Sequence, residues 1–220
     1  MLQHGLAIPD YLDTIAMISG ALVGAMGATR KGLDWLGVFL VAFCTSVGGG
    51  VVRDTLLQNG VPAVLQRPSY QLYAVIGAIV GMFFAKGAAR FNRVYETLDT
   101  IMIGVWVLLG CSKAQEAGLG AIAVVFVGTI AAVGGGLVRD VLVHDTPAIV
   151  QAGYWYTVAA FWAATAYVLL TFTGVPLVAA EVAALATASG LRFVSLHFRI
   201  VTPTPYDVGV RVSRFFGVRN

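Results

Sequence analysis

The chain has 220 residues, of which 58% are hydrophobic and 11% are charged, with a formal net charge of +3 and a mean hydropathy of +0.83. Soluble domains carry about 25% charged residues, so this composition excludes a water-soluble globular protein and predicts a single transmembrane domain over residues 1–220. The positive residues lie at the ends of apolar segments and in the C-terminal tail, a distribution that orients a protein in a bilayer and predicts no nucleic-acid partner.

Seven apolar segments are long enough to be candidate membrane spans, because about 20 mostly apolar residues cross about 30 Å of hydrocarbon. In chain order they are Leu12–Ala28, Trp35–Gln58, Tyr70–Ala88, Leu98–Lys113, Leu119–Val143, Tyr154–Phe172 and Pro176–Leu196. The first lacks the positive flank of a cleaved signal peptide and is expected to belong to the fold. The predicted fold class is therefore an all-α membrane protein with seven transmembrane helices.

The sequence repeats internally with a shift of 86 residues. VGGGVVRD at 47–54 returns as VGGGLVRD at 133–140, LDTI at 12–15 returns at 98–101, and Pro62-Ala63 returns as Pro147-Ala148 after a one-residue deletion. Spans one to three are thus predicted to repeat as spans four to six.

Each copy holds three spans, an odd number, so the second copy must enter the membrane from the opposite side. We therefore predict two inverted repeats, at about residues 10–89 and about 96–173, related by a pseudo-two-fold axis in the membrane plane. A seventh helix at about 176–197 and a basic tail at 198–220 stand outside the duplication.

The distribution of Lys and Arg in the loops predicts the orientation. One side has the basic residues Arg30, Lys31, Lys86, Arg90, Arg93, Arg199, Arg211, Arg214 and Arg219, and the other has little beyond Arg67 and Lys113. The rich side is predicted to be cytoplasmic. The chain is then a multi-pass protein of the cell inner (plasma) membrane, with its N-terminus outside and its C-terminus inside.

The repeated glycines are the candidate site for an ion. They are Gly48, Gly49 and Gly50 in the second span and Gly134, Gly135 and Gly136 in the fifth. Each glycine inside a helix costs about 1 kcal/mol relative to alanine, which predicts that both helices break there. Broken backbone at membrane depth is tolerated only where it is buried in protein or lines a cavity, and its exposed carbonyls suit a transient monovalent cation.

An arginine and an aspartate follow each glycine run: Arg53 and Asp54 in the first copy, Arg139 and Asp140 in the second. Adjacent helical residues point about 100° apart, so the two members of each copy are not expected to face each other. The predicted pairs instead cross the pseudo-two-fold axis, Arg53 with Asp140 and Arg139 with Asp54. An alternative is that the arginine and aspartate form a buried structural pair and that the glycines allow close helix packing, as predicted for Gly20–Gly24 and Gly77–Gly81.

Six other residues near span starts receive structural interpretations. Asp13 and Asp99, at matching positions of the repeats, are predicted helix caps, with lining of an entrance as the alternative. The aromatic residues Tyr70, Tyr73, Trp155 and Tyr156 are predicted members of the aromatic belts at the membrane interfaces.

Paired GGGxxRD motifs in two inverted three-span repeats, followed by a seventh span, resemble the prokaryotic trimeric intracellular cation (TRIC) channels. The resemblance covers roughly residues 10 to 197. It implies a homotrimer with one pore in each protomer, lined chiefly by kinked second and fifth spans and passing K⁺ and Na⁺. The ten glycine, arginine and aspartate residues of the two motifs are the positions carried over. The lysine-glutamate motif of the animal members, which is thought to engage phosphoinositide, is absent, so lipid regulation is not inferred.

A second function stays open, because some bacterial relatives with similar motifs are associated with glycine transport. A broken helix whose N-terminus binds an amino-acid carboxylate, with two repeats rocking about it, uses the same architecture. No TVGYG-type filter is present, so weak discrimination between K⁺ and Na⁺ is expected of a channel. No HExxH or GxSxG motif is present either, and neither an enzyme nor a cofactor is predicted.

Overall fold

A computed structural model describes residues 10–58, 60–88 and 92–204. This part of the chain contains eight α-helices: α1 (Asp10–Arg30), α2 (Trp35–Leu57), α3 (Ala63–Gln66), α4 (Pro68–Ala88), α5 (Asn92–Glu116), α6 (Ala121–Leu142), α7 (Thr157–Phe172) and α8 (Leu177–His197). The prediction of an all-helical protein is confirmed. The basic tail is described only as far as Thr204, so its arginines beyond Arg199 lie outside the described residues.

Seven of these helices overlap the seven predicted spans, and the eighth, α3, is a single turn between α2 and α4. Five of them (α1, α2, α5, α6 and α8) are long and apolar enough to cross a membrane, while the apolar parts of α4 and α7 are shorter. Helix α5 is the most enclosed of the five and α8 the least. Large apolar side chains such as Phe83, Ile122 and Phe193 are exposed on the bundle exterior, where a bilayer accommodates them.

Helices α2 and α6 cross in backbone contact at the repeated glycines. A Cβ atom on Gly49 would lie 2.6 Å from the carbonyl oxygen of Ala131, and one on Gly135 would lie 2.8 Å from the carbonyl oxygen of Thr45. Only hydrogen fits in such a gap, which permits weak Cα–H···O contacts between the helices. Residue 45 meets 135 while 49 meets 131, so the two helices are antiparallel.

The predicted helix breaks are therefore wrong. Helix α2 continues through Gly48–Gly50 and α6 continues through Gly134–Gly136. The cost of glycine in a helix, about 1 kcal/mol per residue, is offset by the close approach that only a residue without a side chain allows. Because both helices are continuous, the glycine carbonyls face along the helix, and the cation site predicted at broken ends is not formed.

Close packing at glycine also joins α1 to its neighbours, as the spacing predicted. A Cβ atom on Gly20 would lie 3.3 Å from the Cα of Ser46 in α2, and one on Gly81 would lie 2.7 Å from the Cβ of Ala25. The Ser46 hydroxyl donates a 2.7 Å hydrogen bond to the carbonyl of Met17. Helix α1 thus packs tightly between α2 and α4.

Candidate functional site

Arg53 and Asp54 form a hydrogen-bonded clamp at the end of α2. The Arg53 Nε–H donates to Asp54 Oδ1 over 2.7 Å, and the backbone N–H of Ala63 donates to Asp54 Oδ2 over 2.8 Å. The Arg53 side chain is 2% exposed and the Asp54 side chain 14%. One carboxylate therefore neutralises a buried guanidinium and also ties the end of α2 to α3, nine residues later.

The second motif repeats this clamp at the end of α6. The Arg139 Nε–H donates to Asp140 Oδ1 over 2.8 Å, and the N–H of Ala148 donates to Asp140 Oδ2 over 2.9 Å. Both clamps end on the alanine of a Pro-Ala pair. The structure thus gives a physical reason for the repeated Pro-Ala: its alanine supplies the N–H that the second carboxylate oxygen requires.

A first charged cluster surrounds the α2 clamp. The Tyr70 hydroxyl donates to Asp13 Oδ2 over 2.8 Å and accepts from Arg67 Nη1 over 3.1 Å. The exposed Arg67 guanidinium lies 5.3 Å from the centre of the Tyr70 ring. Lys113, at the end of α5, interacts electrostatically with Asp13 and with both residues of the clamp. We call Arg53, Asp54, Asp13, Tyr70, Arg67 and Lys113 the first cluster.

A second charged cluster surrounds the α6 clamp. Arg139 Nη1 lies 3.6 Å from Asp99 Oδ1, and Arg192 Nη2 lies 3.8 Å from Asp99 Oδ2. The Arg192 guanidinium lies 5.2 Å from the centre of the Tyr156 ring. We call Arg139, Asp140, Asp99, Tyr156 and Arg192 the second cluster. Arg192 of α8 thus occupies the place over a tyrosine that Arg67 occupies in the first cluster.

The ion pairs predicted across the pseudo-two-fold axis are wrong, and the buried pair within each motif is the arrangement found. In the antiparallel crossing, where Gly49 meets Gly134, Arg53 is level with about Ile130. Asp140 is ten residues further along α6, or about 15 Å at 1.5 Å per residue, beyond the reach of an arginine side chain. A bond between neighbouring residues is possible because the arginine folds back and its Nε–H meets the carboxylate; in the second motif Arg139 Nη2 also lies 2.8 Å from Asp140 Oδ1.

Two structural interpretations of single residues are also wrong. Asp13 and Asp99 lie inside α1 and α5 and are 7% and 6% exposed, so they are buried members of the charged clusters and not helix caps. Tyr70 and Tyr156 are equally buried, at 5% and 6%, and therefore do not form an interfacial belt. An aspartate near the start of an apolar segment is typical of a helix cap. The sequence gave no indication that α1 begins earlier, at Asp10, and α5 at Asn92.

Sequence reasoning did not assign a site role to Lys113, Arg192 or Arg67. Arg192 has no counterpart in the duplication, because α8 lies outside it. A signal for Tyr70 and Tyr156 was available, since they are 86 residues apart. Lys113 aligns at the same shift with Gly27, whose Cβ position would lie 3.1 Å from Arg139 Cδ. Repeat alignment therefore places Lys113 beside Arg53.

A cavity of about 270 Å³ lies next to the second cluster, and Tyr156 and Thr157 line it together with Thr202. The segment after α8 forms one wall, because Thr202 N–H donates to Gly153 O over 2.9 Å. Ser195 fixes this wall: its hydroxyl accepts from Trp155 N–H over 2.9 Å and donates to Ile200 O over 2.6 Å.

The two clusters place positive and negative side chains at the two ends of the crossing between α2 and α6. Carboxylates paired with guanidiniums create fixed fields that discriminate ions by sign without binding them permanently. Within residues 10–204, apart from the gaps already given, no group of three His, Cys, Asp or Glu residues is placed to hold a metal.

Known proteins share this architecture. A family model described as glycine transporter matches residues 10–86 and 96–172. A UPF0126 inner membrane protein of Escherichia coli K12 is 28% identical over 198 residues, covering 88% of this chain and 94% of the relative. A UPF0126 membrane protein of Deinococcus radiodurans is 34% identical over 139 residues, covering 63% of this chain and 65%, just under two thirds, of the relative.

The fold is similar to that of solved channels. The TRIC trimeric intracellular cation channel orthologue from Rhodobacter sphaeroides superposes with a TM-score of 0.81 at 29% identity, covering 87% of this chain and 98% of that one. The all-helical fold of the prokaryotic TRIC channels, which the resemblance implied, is thus the fold that this chain matches.

Proposed function

This chain belongs to the membrane-protein family whose model is described as glycine transporter, and from the fold that it shares with the prokaryotic TRIC channels we propose that it conducts monovalent cations. The observation that carries the proposal is the pair of charged clusters at opposite ends of the α2–α6 crossing. A cation moving along this crossing would meet Asp13 and Asp54 at one end and Asp99 and Asp140 at the other.

The pore is proposed to run within each protomer, lined by α2 and α6 at Gly48–Gly50, Arg53, Asp54, Gly134–Gly136, Arg139 and Asp140. With α2 and α6 in backbone contact the path is closed at the glycines, so conduction requires these helices to move apart or along each other. Weak selectivity between K⁺ and Na⁺ is expected, because carboxylates in a hydrated path distinguish ions chiefly by charge.

The assembly is proposed to be a homotrimer in the cell inner (plasma) membrane, contacted by lipid, with the N-terminus outside and the C-terminus in the cytoplasm. The solved relative from Rhodobacter sphaeroides is described as trimeric. The enclosed clusters lie within one chain, which supports one pore per protomer. The two inverted repeats are proposed to act as halves of a single transmembrane unit over residues 1–220, and nothing in this proposal calls for enzymatic activity.

A transporter for glycine is the second candidate, and one observation favours it beyond the family description. Arg53 Nη1 is buried and has no hydrogen-bond partner among the described residues. A guanidinium with a free N–H is a good ligand for the carboxylate of a small amino acid. In this reading the first cluster holds substrate and α2 rocks against α6.

One experiment separates the two functions. Purified protein in sealed liposomes is tested for electrogenic K⁺ flux with a potential-sensitive dye and, in parallel, for uptake of labelled glycine. A channel gives K⁺ flux without saturable glycine uptake. Saturable glycine uptake with no independent ion current contradicts the channel and supports the transporter.

Two variants locate the path in that assay. Arg139→Gln leaves the Asp99 and Asp140 carboxylates without their shared guanidinium, and it is expected to change K⁺ flux at least threefold through one unit of fixed charge. Lys31→Gln removes one positive charge from an exposed ion pair with Asp145 and is the matched control, with flux near that of the unchanged protein. Equal fluxes in all three proteins would contradict a path beside the second cluster.

A further inference from the structure

The segment that follows α8 is bonded to the loop that joins α6 to α7. Val201 pairs with Tyr154 in an isolated antiparallel β-bridge. Thr202 donates to the carbonyl of Gly153 twice, through its N–H over 2.9 Å and through its hydroxyl over 3.2 Å. We call residues 199–204 the strap, because they hold this loop against the end of α8.

Ser195 and Arg199 determine how the strap leaves α8. Ser195 is fully buried, and its hydroxyl bonds the loop through Trp155 N–H and the strap through the carbonyl of Ile200. Arg199 has a φ of +53°, in the left-handed region that side chains other than glycine disfavour. The strap therefore leaves α8 through an unfavourable turn that the Ser195 hydrogen bonds stabilise.

The strap and the second clamp connect α6 to α8 in series. Asp140 of α6 accepts from the N–H of Ala148, and the same loop continues to Gly153, where the strap binds it. Movement of the α6 end away from α8 strains this series, and its weakest link opens first. The bond to the Asp140 carboxylate is charge-assisted, and such bonds are about twice as strong as neutral ones. The strap bonds join neutral groups, and Tyr154 and Val201 are exposed, so the strap is the weakest link.

The surroundings of the loop offer little resistance to release of the strap. The cavity of about 270 Å³ lies between them, lined by Gln151 of the loop and Thr202 of the strap. Atoms that face a cavity have few packing contacts to lose, so the strap can lift without disrupting the helical core. Lys31 also binds the loop, at Asp145, but both side chains are exposed and an exposed ion pair contributes little.

We propose that the strap controls conduction: it must leave the loop between α6 and α7 before α6 can move, and its return closes the second-cluster end. The inference rests on the proposed channel function, in which α2 and α6 move apart or along each other. Helix α8 lies outside the duplicated repeats, so the strap belongs to the α6 end. Conduction is then controlled by a segment that lies apart from the two charged clusters.

The first test is a reversible crosslink between the strap and the loop. Residues opposite each other in an antiparallel pair have Cα atoms about 4.5–5.5 Å apart, a separation that a disulfide spans. The double variant Tyr154→Cys with Val201→Cys is expected to lose its K⁺ flux in liposomes when it is oxidised and to regain it after reduction. Each single variant retains the native Cys44 and Cys111 and is the control, with a flux that oxidation does not change.

The second test weakens the strap. Ser195→Ala is expected to raise K⁺ flux about fivefold, because the loss of one neutral hydrogen bond shifts a two-state equilibrium by about that factor. It is also expected to accelerate amide hydrogen exchange in residues 148–156, which reports release of the loop without reference to ion flux. Ser189→Ala is the same substitution in the same helix and is the matched control, with unchanged flux and unchanged exchange.

The outcomes separate the strap from the channel. A double variant that forms its disulfide, as verified by mass spectrometry, and keeps its full K⁺ flux would overturn the inference while leaving the channel intact. Unchanged flux in Ser195→Ala despite faster exchange in residues 148–156 would overturn it equally. If Ser195→Ala does not fold, the double variant decides. Absence of K⁺ flux in all proteins, with glycine uptake retained, would overturn the channel and this inference together.

Discussion

The glycine crossing makes a sharp prediction, because two neighbouring glycines of one motif have different surroundings. A Cβ atom on Gly49 would lie 2.6 Å from the carbonyl oxygen of Ala131, whereas on Gly50 the nearest atom would lie 3.7 Å away. Ordinary contacts of Cβ atoms begin at 3.4 Å. Gly49→Ala therefore forces α2 and α6 apart by about 0.8 Å, while Gly50→Ala fits as built.

The expected difference in stability follows from this geometry. Overpacking of a well-packed interface costs about 1–3 kcal/mol, and both variants gain the same helix propensity, about 1 kcal/mol. The propensity gain cancels in the comparison. Gly49→Ala should therefore be less stable than Gly50→Ala by about 1–3 kcal/mol, and Gly50→Ala should equal or exceed the unchanged protein.

The measurement is the unfolding of both variants in one detergent, followed by circular dichroism as temperature or denaturant rises. Gly135→Ala, whose Cβ would lie 2.8 Å from Thr45 O, should behave like Gly49→Ala. Equal losses in Gly49→Ala and Gly50→Ala would refute close approach as the reason for the glycines. They would then favour a need for backbone freedom along the whole motif.

Three further perturbations have defined outcomes. Asp54→Asn leaves the buried Arg53 guanidinium without its carboxylate and should lower the free energy of unfolding by about 3–5 kcal/mol, measured by the same unfolding assay. Ser195→Ala removes two hydrogen bonds that hold the segment after α8, and limited proteolysis should cut there at least tenfold faster. The hydrogen bond from Lys31 lowers the pKa of the exposed Asp145 carboxyl, so this pair stabilises the fold above the ordinary aspartate range and is lost as pH falls through the lowered value. Lys31→Gln should accordingly reduce thermal stability slightly at pH 7 and not at pH 2, and a difference that persists at pH 2 would contradict the ion pair.

Composition and repetition predicted most of the architecture. The long apolar segments correspond to helices. The 86-residue shift correctly aligned the two arginine-aspartate pairs, and the one-residue deletion after them aligned the alanines that close the clamps. The shift could not show which residue of α6 lies opposite Gly49. The predicted partner of Arg53 depended on that alignment of the two helices. The low helix propensity of glycine predicted a broken helix at Gly48–Gly50. That prediction took no account of the close contact between α2 and α6, which offsets the cost of the glycines.

The charged clusters were only partly predictable for a related reason. Arg53 and Asp54 stand out in the sequence because they interrupt an apolar span. Lys113 and Arg192 lie near helix ends, where basic residues usually mark the membrane boundary, so their position along the chain gives no signal of burial. Only the packing of α5 against the first repeat, and of α8 against the second, brings them to the site.

A crossing lined by glycine also determines how the two helices can move. Where side chains interlock, one helix passes another only in discrete jumps of about a turn. Between Gly49 and Gly135 the surfaces in contact are backbone, flanked by Val138 of α6 against Gly48 and by Val52 of α2 against Gly134. Each clamp meanwhile joins the end of its helix to the following turn as one stiff lever. The expected motion is therefore a shear in which α2 and α6 glide along each other by small steps, with each lever carrying its own ion pair intact.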